Sequence, residues 1–530
     1  MAYRAVFVHQ GFEFLGVEAI AASLQRAGFE VGMTFDPRLF SDTYVKNPWL
    51  ERRFNYERET IEKAAALDAD VYLFSVVSPV HRWAARMAAG LKQAKPDAVV
   101  VFGGVHSSAV PERVLEDPNV DYVVVGEGDE ACVELVRALA AGQRDVDVAN
   151  IAFRRDGQIV QNPVRPFIQD LDTLPFPAKD LFVNEAGYFG FGYTVQSGRG
   201  CHLRCTFCYH SFFANLPSET RPGDRYVRRR SPANVVQELK LAKRRYDPKV
   251  VRFFDDNFVY NIDWLEEFAD RYSREVALPF WCLGNPDKLT PESVACLERA
   301  GCYELQMGVQ TFSEETRRGL LARSETNADV AQAIDLLRRT KIRSACDNIL
   351  GLPGQGEEEL ANLARFYNRA RPSRINMYWL TYFAGARILE MAEQSGWIPT
   401  DEARGYRNDP PPVAIHVNAP GKGTPTQRRF QTFLSLLLFL PRRWNEWILR
   451  ARIYRFMPVM DPFLLTGVIF NLRDRGAPKS LFQVRFFARY RTYMMRRVSR
   501  WLRRGTAGAA AQPAPDRHLL RPLATEPVRS

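Results

Sequence analysis

Gly198-Arg199-Gly200-Cys201-His202-Leu203-Arg204-Cys205-Thr206-Phe207-Cys208 is the stretch on which the fold turns. Its three cysteines follow a glycine-rich start at the spacing C-x₃-C-x₂-C. Thiolates so spaced on one loop can hold three irons of a 4Fe-4S cluster. Cube clusters normally take four thiolates, so an iron with no nearby cysteine is an open coordination site for substrate or cofactor. A zinc ion completed by His202 or His210, or a chance group of structural cysteines, are the other readings. Structural zinc usually draws paired ligands from two knuckles, and the sequence has no second pair.

The stretch follows the first of six strand signals, near Tyr193–Gln196, Val250–Asp255, Phe280–Leu283, Glu304–Val309, Ser344–Leu350 and Ile375–Leu380. Helical patterns near 232–246, 262–274, 291–300, 313–321, 328–340 and 357–370 alternate with them. Six β–α units in series predict a partial (β/α)6 barrel of TIM type, with its chemistry at the C-terminal rim. Upstream, β-branched runs at Arg4–His9, Glu30–Phe35, Val71–Val76, Ala98–Phe102 and Tyr122–Val125 alternate with amphipathic stretches at Val17–Ala27, Arg82–Lys95 and Glu130–Ala140. That alternation predicts a doubly wound, Rossmann-like α/β domain, which binds ligands beyond the carboxyl ends of its strands. Gly11, Gly103-Gly104 and Gly126-Glu127-Gly128 fall at those ends. The expected organisation is an α/β domain at 1–145, a connector at 146–190 with a hairpin around Asp156-Gly157, and the barrel at 191–396. A basic, mainly helical region at 397–504 and a tail of disordered composition at 505–530 follow.

With 530 residues, 46% of them hydrophobic and 25% charged, the chain is an ordinary globular protein of several domains. Eight cysteines are too few for a disulfide scaffold, and crowding of three at 201–208 suits a metal site in a reducing compartment. Cys132, Cys282, Cys296, Cys302 and Cys346 read as small buried apolar side chains. No secretory pattern opens the sequence, and its longest strongly apolar run, Phe433–Leu440, has eight residues, where a bilayer span needs ~20. A cytoplasmic location is expected. The charge is uneven: residues 419–504 hold 19 Lys and Arg against three acids, which leaves the rest of the chain near −5. Arginines mixed with aromatics at 428–444 and 484–491 suit a helical cap with snorkelling arginines. They also suit peripheral contact with the inner face of a membrane, and less well single-stranded nucleic acid.

At the cysteine stretch the chain resembles the radical S-adenosylmethionine (SAM) superfamily, from about 191 to 395. The resemblance implies that Cys201, Cys205 and Cys208 ligate a 4Fe-4S cluster whose open iron chelates SAM. One electron from the cluster then cleaves the sulfonium to a 5′-deoxyadenosyl radical. Phe207 would lie near the adenine. Phe253-Phe254-Asp255-Asp256-Asn257 ends the second strand where the family often has a Gly-Gly-Glu run; only the acidic character of Asp255 and Asp256 carries over. Gln310, in Gly308-Val309-Gln310-Thr311, takes a ribose- or carboxylate-contacting position. Asn348 and Gly351, in Asn348-Ile349-Leu350-Gly351-Leu352-Pro353-Gly354, resemble the adenine-side motif.

Residues 1–142 resemble the cobalamin-binding domains that precede many radical SAM cores, through Gly103–Glu112 and Val120–Glu130. This implies cobalamin contacts from Ser75, Ser78, Gly103, Gly104, His106, Gly126, Glu127 and Gly128. The Asp-x-His-x-x-Gly motif that supplies a lower cobalt ligand in some cobalamin enzymes is absent. The combined resemblance implies a cobalamin-dependent radical SAM methyltransferase that acts on an unactivated carbon of a small or lipophilic molecule. An electron donor such as flavodoxin or ferredoxin would reduce its cluster. The chain also resembles the anaerobic magnesium-protoporphyrin ester cyclase, so cyclisation or rearrangement on the same scaffold is the alternative. A non-catalytic iron–sulfur sensor is the reading from another class.

Overall fold

In the N-terminal domain alternate residues of each strand are buried on opposite faces. The structure, a computed structural model, describes residues 3–41, 47–186, 192–219, 222–411 and 423–460, with 491, 493–495 and 497. Strands β1 (Arg4–Gln10), β2 (Glu30–Asp36), β3 (Val71–Ser75), β4 (Val99–Gly103), β5 (Tyr122–Val124), β6 (Ile151–Arg155) and β7 (Gln158–Gln161) form one sheet in the order β2-β1-β3-β4-β5-β6-β7. Its first five strands are parallel, with Phe7 opposite Leu73 and Leu73 opposite Val101. Val6, Val8, Tyr72, Phe74, Val100 and Phe102 pack into a core on one face, and Ala5, Phe7, Leu73 and Val101 into a core on the other. Both faces therefore need helices, which explains why these strands read as continuous apolar runs. The expected connector contributes to this sheet. Its hairpin supplies β6, which pairs antiparallel with β5, and β7, which pairs antiparallel with β6; together they cover an edge that would otherwise expose unpaired backbone.

The second domain is built on β8 (Gly192–Val195), β11 (Val250–Phe253), β12 (Phe280–Gly284), β13 (Cys302–Gln310), β14 (Arg343–Leu350) and β15 (Arg374–Trp379), all parallel and in that spatial order. A two-stranded ribbon, β9 (Gly198–Arg199) and β10 (Arg228–Arg229), lies between β8 and β11 in sequence. Outward-facing Phe253 and Phe280 meet Phe258, Phe268 and Tyr272 at ring-centroid distances of 4.5 to 6.4 Å. This aromatic cluster welds the helix Ile262–Glu275 to the barrel wall. The helix expected near 313–321 is instead a short π-helical turn, Thr316–Leu320. Buried Arg317 holds its shape by donating to the carbonyls of Val309 (3.1 Å) and Glu325 (2.8 Å).

Beyond the barrel the chain is helical, at Thr400–Asn408, Pro425–Leu437 and Arg442–Arg450. The last two helices cap the helix Glu357–Ala370: Arg371 donates to the carbonyls of Leu437, Leu438 and Leu440. The arginine–aromatic segment 484–491, its last residue aside, and the tail 505–530 lie outside the described residues. Among the described residues no helix is long and apolar enough to cross a membrane.

Candidate active site

The β9–β10 ribbon launches the cysteine loop. Gly200 follows β9 with φ +87°, and a Cβ there would lie 2.1 Å from the Tyr226 carbonyl oxygen, so only glycine can turn the chain under the ribbon. Thr206 then pins the loop to the rim. Its backbone N–H donates to Leu321 (3.3 Å), its hydroxyl to Leu320 (2.7 Å), and its carbonyl accepts from Ile388 (2.9 Å). Cys201 and Cys205 are buried and Cys208 is half-buried. Burial pushes the Cys201 thiol up to about 11 and Cys208 up to about 12; it also raises Cys205, against the pull of Arg323. Three free cysteines on one loop, two of them buried, are the soft thiolate donors that iron takes, so the donor set fits the cluster.

Both histidines of the zinc alternative are engaged elsewhere. Nδ1 of His210 is hydrogen-bonded to the Tyr226 hydroxyl and Nε2 stands 3.0 Å from Asp256 Oδ2, while Nε2 of His202 is 3.4 Å from Asn285. Arg323, which the sequence did not single out, is buried beside the loop. It donates to Cys205 Sγ (3.5 Å), to the Gly308 carbonyl (3.0 Å) and to Glu325.

Strand alternation sorts the residues expected to meet SAM. Phe207 packs against the cluster of Leu321, Ile349 and Leu352, which brings it to the turn after β14. That turn runs through Gly351 at φ +79° and is closed by Gln355, which accepts from the Gly351 N–H (2.9 Å) and donates to the Ile349 carbonyl (3.0 Å). Gln310 ends β13 with φ +66°, where the pairing with β14 shifts register. A non-glycine residue held there is backbone strain of the kind found at ligand sites. Asp256 reaches His210 of the cysteine loop. Two expectations need correction. Asp255 is buried and accepts both the backbone N–H (3.1 Å) and the hydroxyl (2.7 Å) of Ser197, so it fastens the turn into the ribbon. Asn348 points outward, parity placing Asp347 and Ile349 on the lumen side. Its amide donates to the carbonyls of Cys346 and Asn376 and accepts from the Tyr367 hydroxyl (2.8 Å).

On the lumen side the barrel presents a polar ladder that the sequence reading missed. Gln306 and Asn376 donate to the two carboxylate oxygens of Asp347, at 2.7 and 2.8 Å. Phe254, just past β11, and Trp281 on the neighbouring β12 stand 5.3 Å apart.

The two domains line a cleft of about 240 Å³ that opens to solvent. Ser75, Gly103, Gly104, Gly126, Glu127 and Gly128 line one wall, Gln196, Arg199, Gly200, Tyr209 and His210 the other, and Phe7, Leu73, Val101 and Val124 the floor. A Cβ on Gly104, at φ +94°, would lie 2.8 Å from the Val76 carbonyl oxygen. An apolar floor with glycine edges fits a flat corrin. Two of the expected contacts are absent from this wall. Ser78 and His106 are buried together, Oγ 3.1 Å from Nδ1, with the His106 ring against His81. Burial pushes His106 down to about 3, which keeps it neutral.

Glu127 lines the cleft, but its carboxylate is committed. It accepts from Arg228 (2.9 Å), Arg199 (3.2 Å) and the Ile168 N–H (3.0 Å). Arg199 also grips Asp129 through both terminal nitrogens, at 2.7 and 2.9 Å. The ribbon carrying the cysteines is thus bolted to the loop that lines the cleft. A second clamp, buried Lys179 between Glu13 (2.7 Å) and Glu18 (2.6 Å), ties the N-terminal domain to Thr194 of β8 through Glu13. Burial pushes Glu18 well up against the pull of Lys179.

Cysteine loop, barrel rim and glycine-edged cleft together define a two-domain protein with the donors for an iron–sulfur cluster in one domain and a cleft that would take a corrin between the two. The comparisons agree: the Radical SAM superfamily model matches residues 195–367 and the B12 binding domain model residues 8–136. The chain belongs to the radical SAM enzymes that carry a cobalamin-binding domain. An uncharacterised methyltransferase of Pyrococcus horikoshii is 26% identical over 61% of this chain and 69% of its own length. The anaerobic magnesium-protoporphyrin IX monomethyl ester cyclase of Synechocystis is 26% identical over 54% and 57%. The cytidylyl-2-hydroxyethylphosphonate methyltransferase of Streptomyces wedmorensis is 25% identical over 58% and 63%. The match thus spans less than two thirds of the latter two relatives. Among solved structures, the radical SAM methyltransferase TsrM of Kitasatospora setae, with cobalamin and a 4Fe-4S cluster bound, superposes with a TM-score of 0.60 at 17% identity, covering 76% of this chain and 79% of its own. The cobalamin-dependent radical enzyme OxsB also gives 0.60, at 14% identity, over 96% and 82%. These likenesses extend the shared fold across both domains.

Proposed function

We propose that this protein methylates an unactivated carbon of a small molecule held in the barrel lumen. The observation that carries the reading is the single cleft whose walls are the glycine ends of β4 and β5 and the residues flanking the cysteine loop. When bound, the cluster and SAM supply a 5′-deoxyadenosyl radical and cobalamin supplies a transferable methyl group.

The chain's own residues position these groups. Cys201, Cys205 and Cys208 hold the cluster, with Arg323 against the Cys205 sulfur. Phe207 and the Gly351 turn form the adenine side, and Gln310 and Asp256 supply polar contacts at the rim. Ser75, Gly103, Gly104, Gly126 and Gly128 admit the corrin. The Gln306–Asp347–Asn376 ladder gives a substrate hydrogen-bonding groups, and Phe254 with Trp281 gives it an apolar wall. A molecule with polar and apolar parts suits that lumen. Seating the cofactors between two domains would limit the water that reaches the radical steps. A low-potential electron donor reduces the cluster.

The test is to supply SAM labelled in its methyl group to anaerobically purified, cobalamin-loaded enzyme with cell extract as the substrate source. Label in a small-molecule product, with deoxyadenosine formed alongside, is the expected result. Deoxyadenosine without label in any product would instead support the second reading, cyclisation or rearrangement, which the similarity to the Synechocystis cyclase favours.

A further inference from the structure

The helix Arg442–Arg450, sequence RRWNEWILR, has two opposed faces. Asn445, Ile448 and Leu449 are buried. Asn445 fixes this side rigidly, donating to Asn368 Oδ1 and to the Leu437 carbonyl, each at 2.9 Å. The 100° helical step puts Arg443, Trp447 and Arg450 at the centre of the opposite face, with Trp444 at its flank. Trp444 is 54% exposed and Trp447 61%. The chain that follows keeps this character: Phe456 is 86% exposed, and Val459 and Met460 also face solvent. Two tryptophans and a phenylalanine displayed in water need a reason, because scattered single apolar residues are normal but a run of large ones marks an interaction surface. Residues 442–460 contain five arginines and one acid, Glu446. Glu446 is paired with Arg450 (3.1 Å) and Arg455 with Glu357 (2.8 Å), which leaves Arg442, Arg443 and Arg452 to make the surface net positive.

We propose that this face docks the enzyme on a bilayer rich in anionic phospholipid. The chemistry matches at each point. Tryptophan is the side chain that settles at headgroup depth, arginines meet phosphates, and Phe456 and Met460 reach the acyl boundary. A short helix lying flat with this division of faces is the form of an interfacial anchor, and no membrane-crossing helix is required of it. The surface lies on the cap over Glu357–Ala370, apart from the cysteine loop and the cleft. Docking therefore does not depend on the catalytic reading.

Full-length holoenzyme is floated with vesicles of phosphatidylglycerol and phosphatidylcholine mixed, and of phosphatidylcholine alone, at low and high salt. The expected result is co-flotation with the anionic vesicles, lost in high salt and absent with neutral lipid. The pair Trp444→Ser and Trp447→Ser, and separately Arg443→Glu with Arg450→Glu, should each weaken partitioning at least about tenfold. Quenching of tryptophan emission by brominated lipid should vanish in the first pair. Unchanged iron content and melting temperature show that each variant is folded. Equal absence from both vesicles overturns the proposal, as does binding that neither pair weakens. Concentration-dependent self-association abolished by the same variants, without vesicle binding, would assign the face to a second copy of this chain and overturn it too.

Discussion

Arg323 sets a guanidinium against the sulfur of Cys205 inside the barrel rim, where little water screens it. A positive hydrogen-bond donor on a ligand sulfur stabilises the more negative, reduced state of a cluster. Replacing Arg323 by Met should lower the cluster's midpoint potential by about 60 mV, the equivalent of ~1.4 kcal/mol in a one-electron couple. Arg323→Lys should recover part of that shift, with electron paramagnetic resonance during a redox titration as the readout. Alanine at Cys201, Cys205 or Cys208 should reduce iron in anaerobically purified protein from about four atoms per chain towards none, with iron and sulfide assays as the check. The three cysteines were legible as a cluster motif because their spacing is local. Arg323 was not, since nothing in the order of residues shows that position 323 comes to rest on position 205.

Elements, rather than residues, carry the link between the two cofactor sites. The β9–β10 ribbon and the loop after β5 are joined by Arg199, Arg228, Glu127 and Asp129. Truncating Arg199 to Leu strips Asp129 of its bidentate partner in a buried setting, which costs about 3 kcal/mol. Denaturant unfolding should show that loss, and titration with cobalamin should show weaker binding, because the same loop lines the cleft. The aromatic seam makes a purely structural contrast. Phe268→Ala should destabilise the chain by about 3–5 kcal/mol through the cavity it leaves, yet leave iron content per folded chain unchanged. Strand and helix positions were readable from period and composition. The direction of a side chain at a strand end was not: one residue of parity turns Asn348 away from the lumen and Asp347 into it. Similarly, Asp255 kept the acidic character that suggested a ligand contact, and the fold uses it to fasten Ser197.

For the whole molecule, stability should depend on pH through histidines buried neutral. Burial holds His106 down to about 3 and His9 down to about 4, whereas in the unfolded chain both titrate near 6.5. Between those values the unfolded chain binds the extra protons. The contribution of these two histidines to stability is therefore complete above pH ~6.5 and falls as the pH drops, by up to about 1.4 kcal/mol per pH unit for each. Denaturant midpoints at pH 7.5 and pH 5 should differ less in a His9→Gln, His106→Asn double variant than in the parent. At this scale the sequence by itself determined the two α/β domains and the cluster loop, since hydrophobic period, glycine-ended strands and cysteine spacing are all properties of neighbouring residues. Only the tertiary structure decided which of the candidate residues meet in one place. The shared cleft, the ion pairs between positions 70 and 101 residues apart, and the burial of Ser78 with His106 away from it all depend on how the two domains dock. That docking is the sum of many weak contacts between distant parts of the chain, which no short window of residues contains.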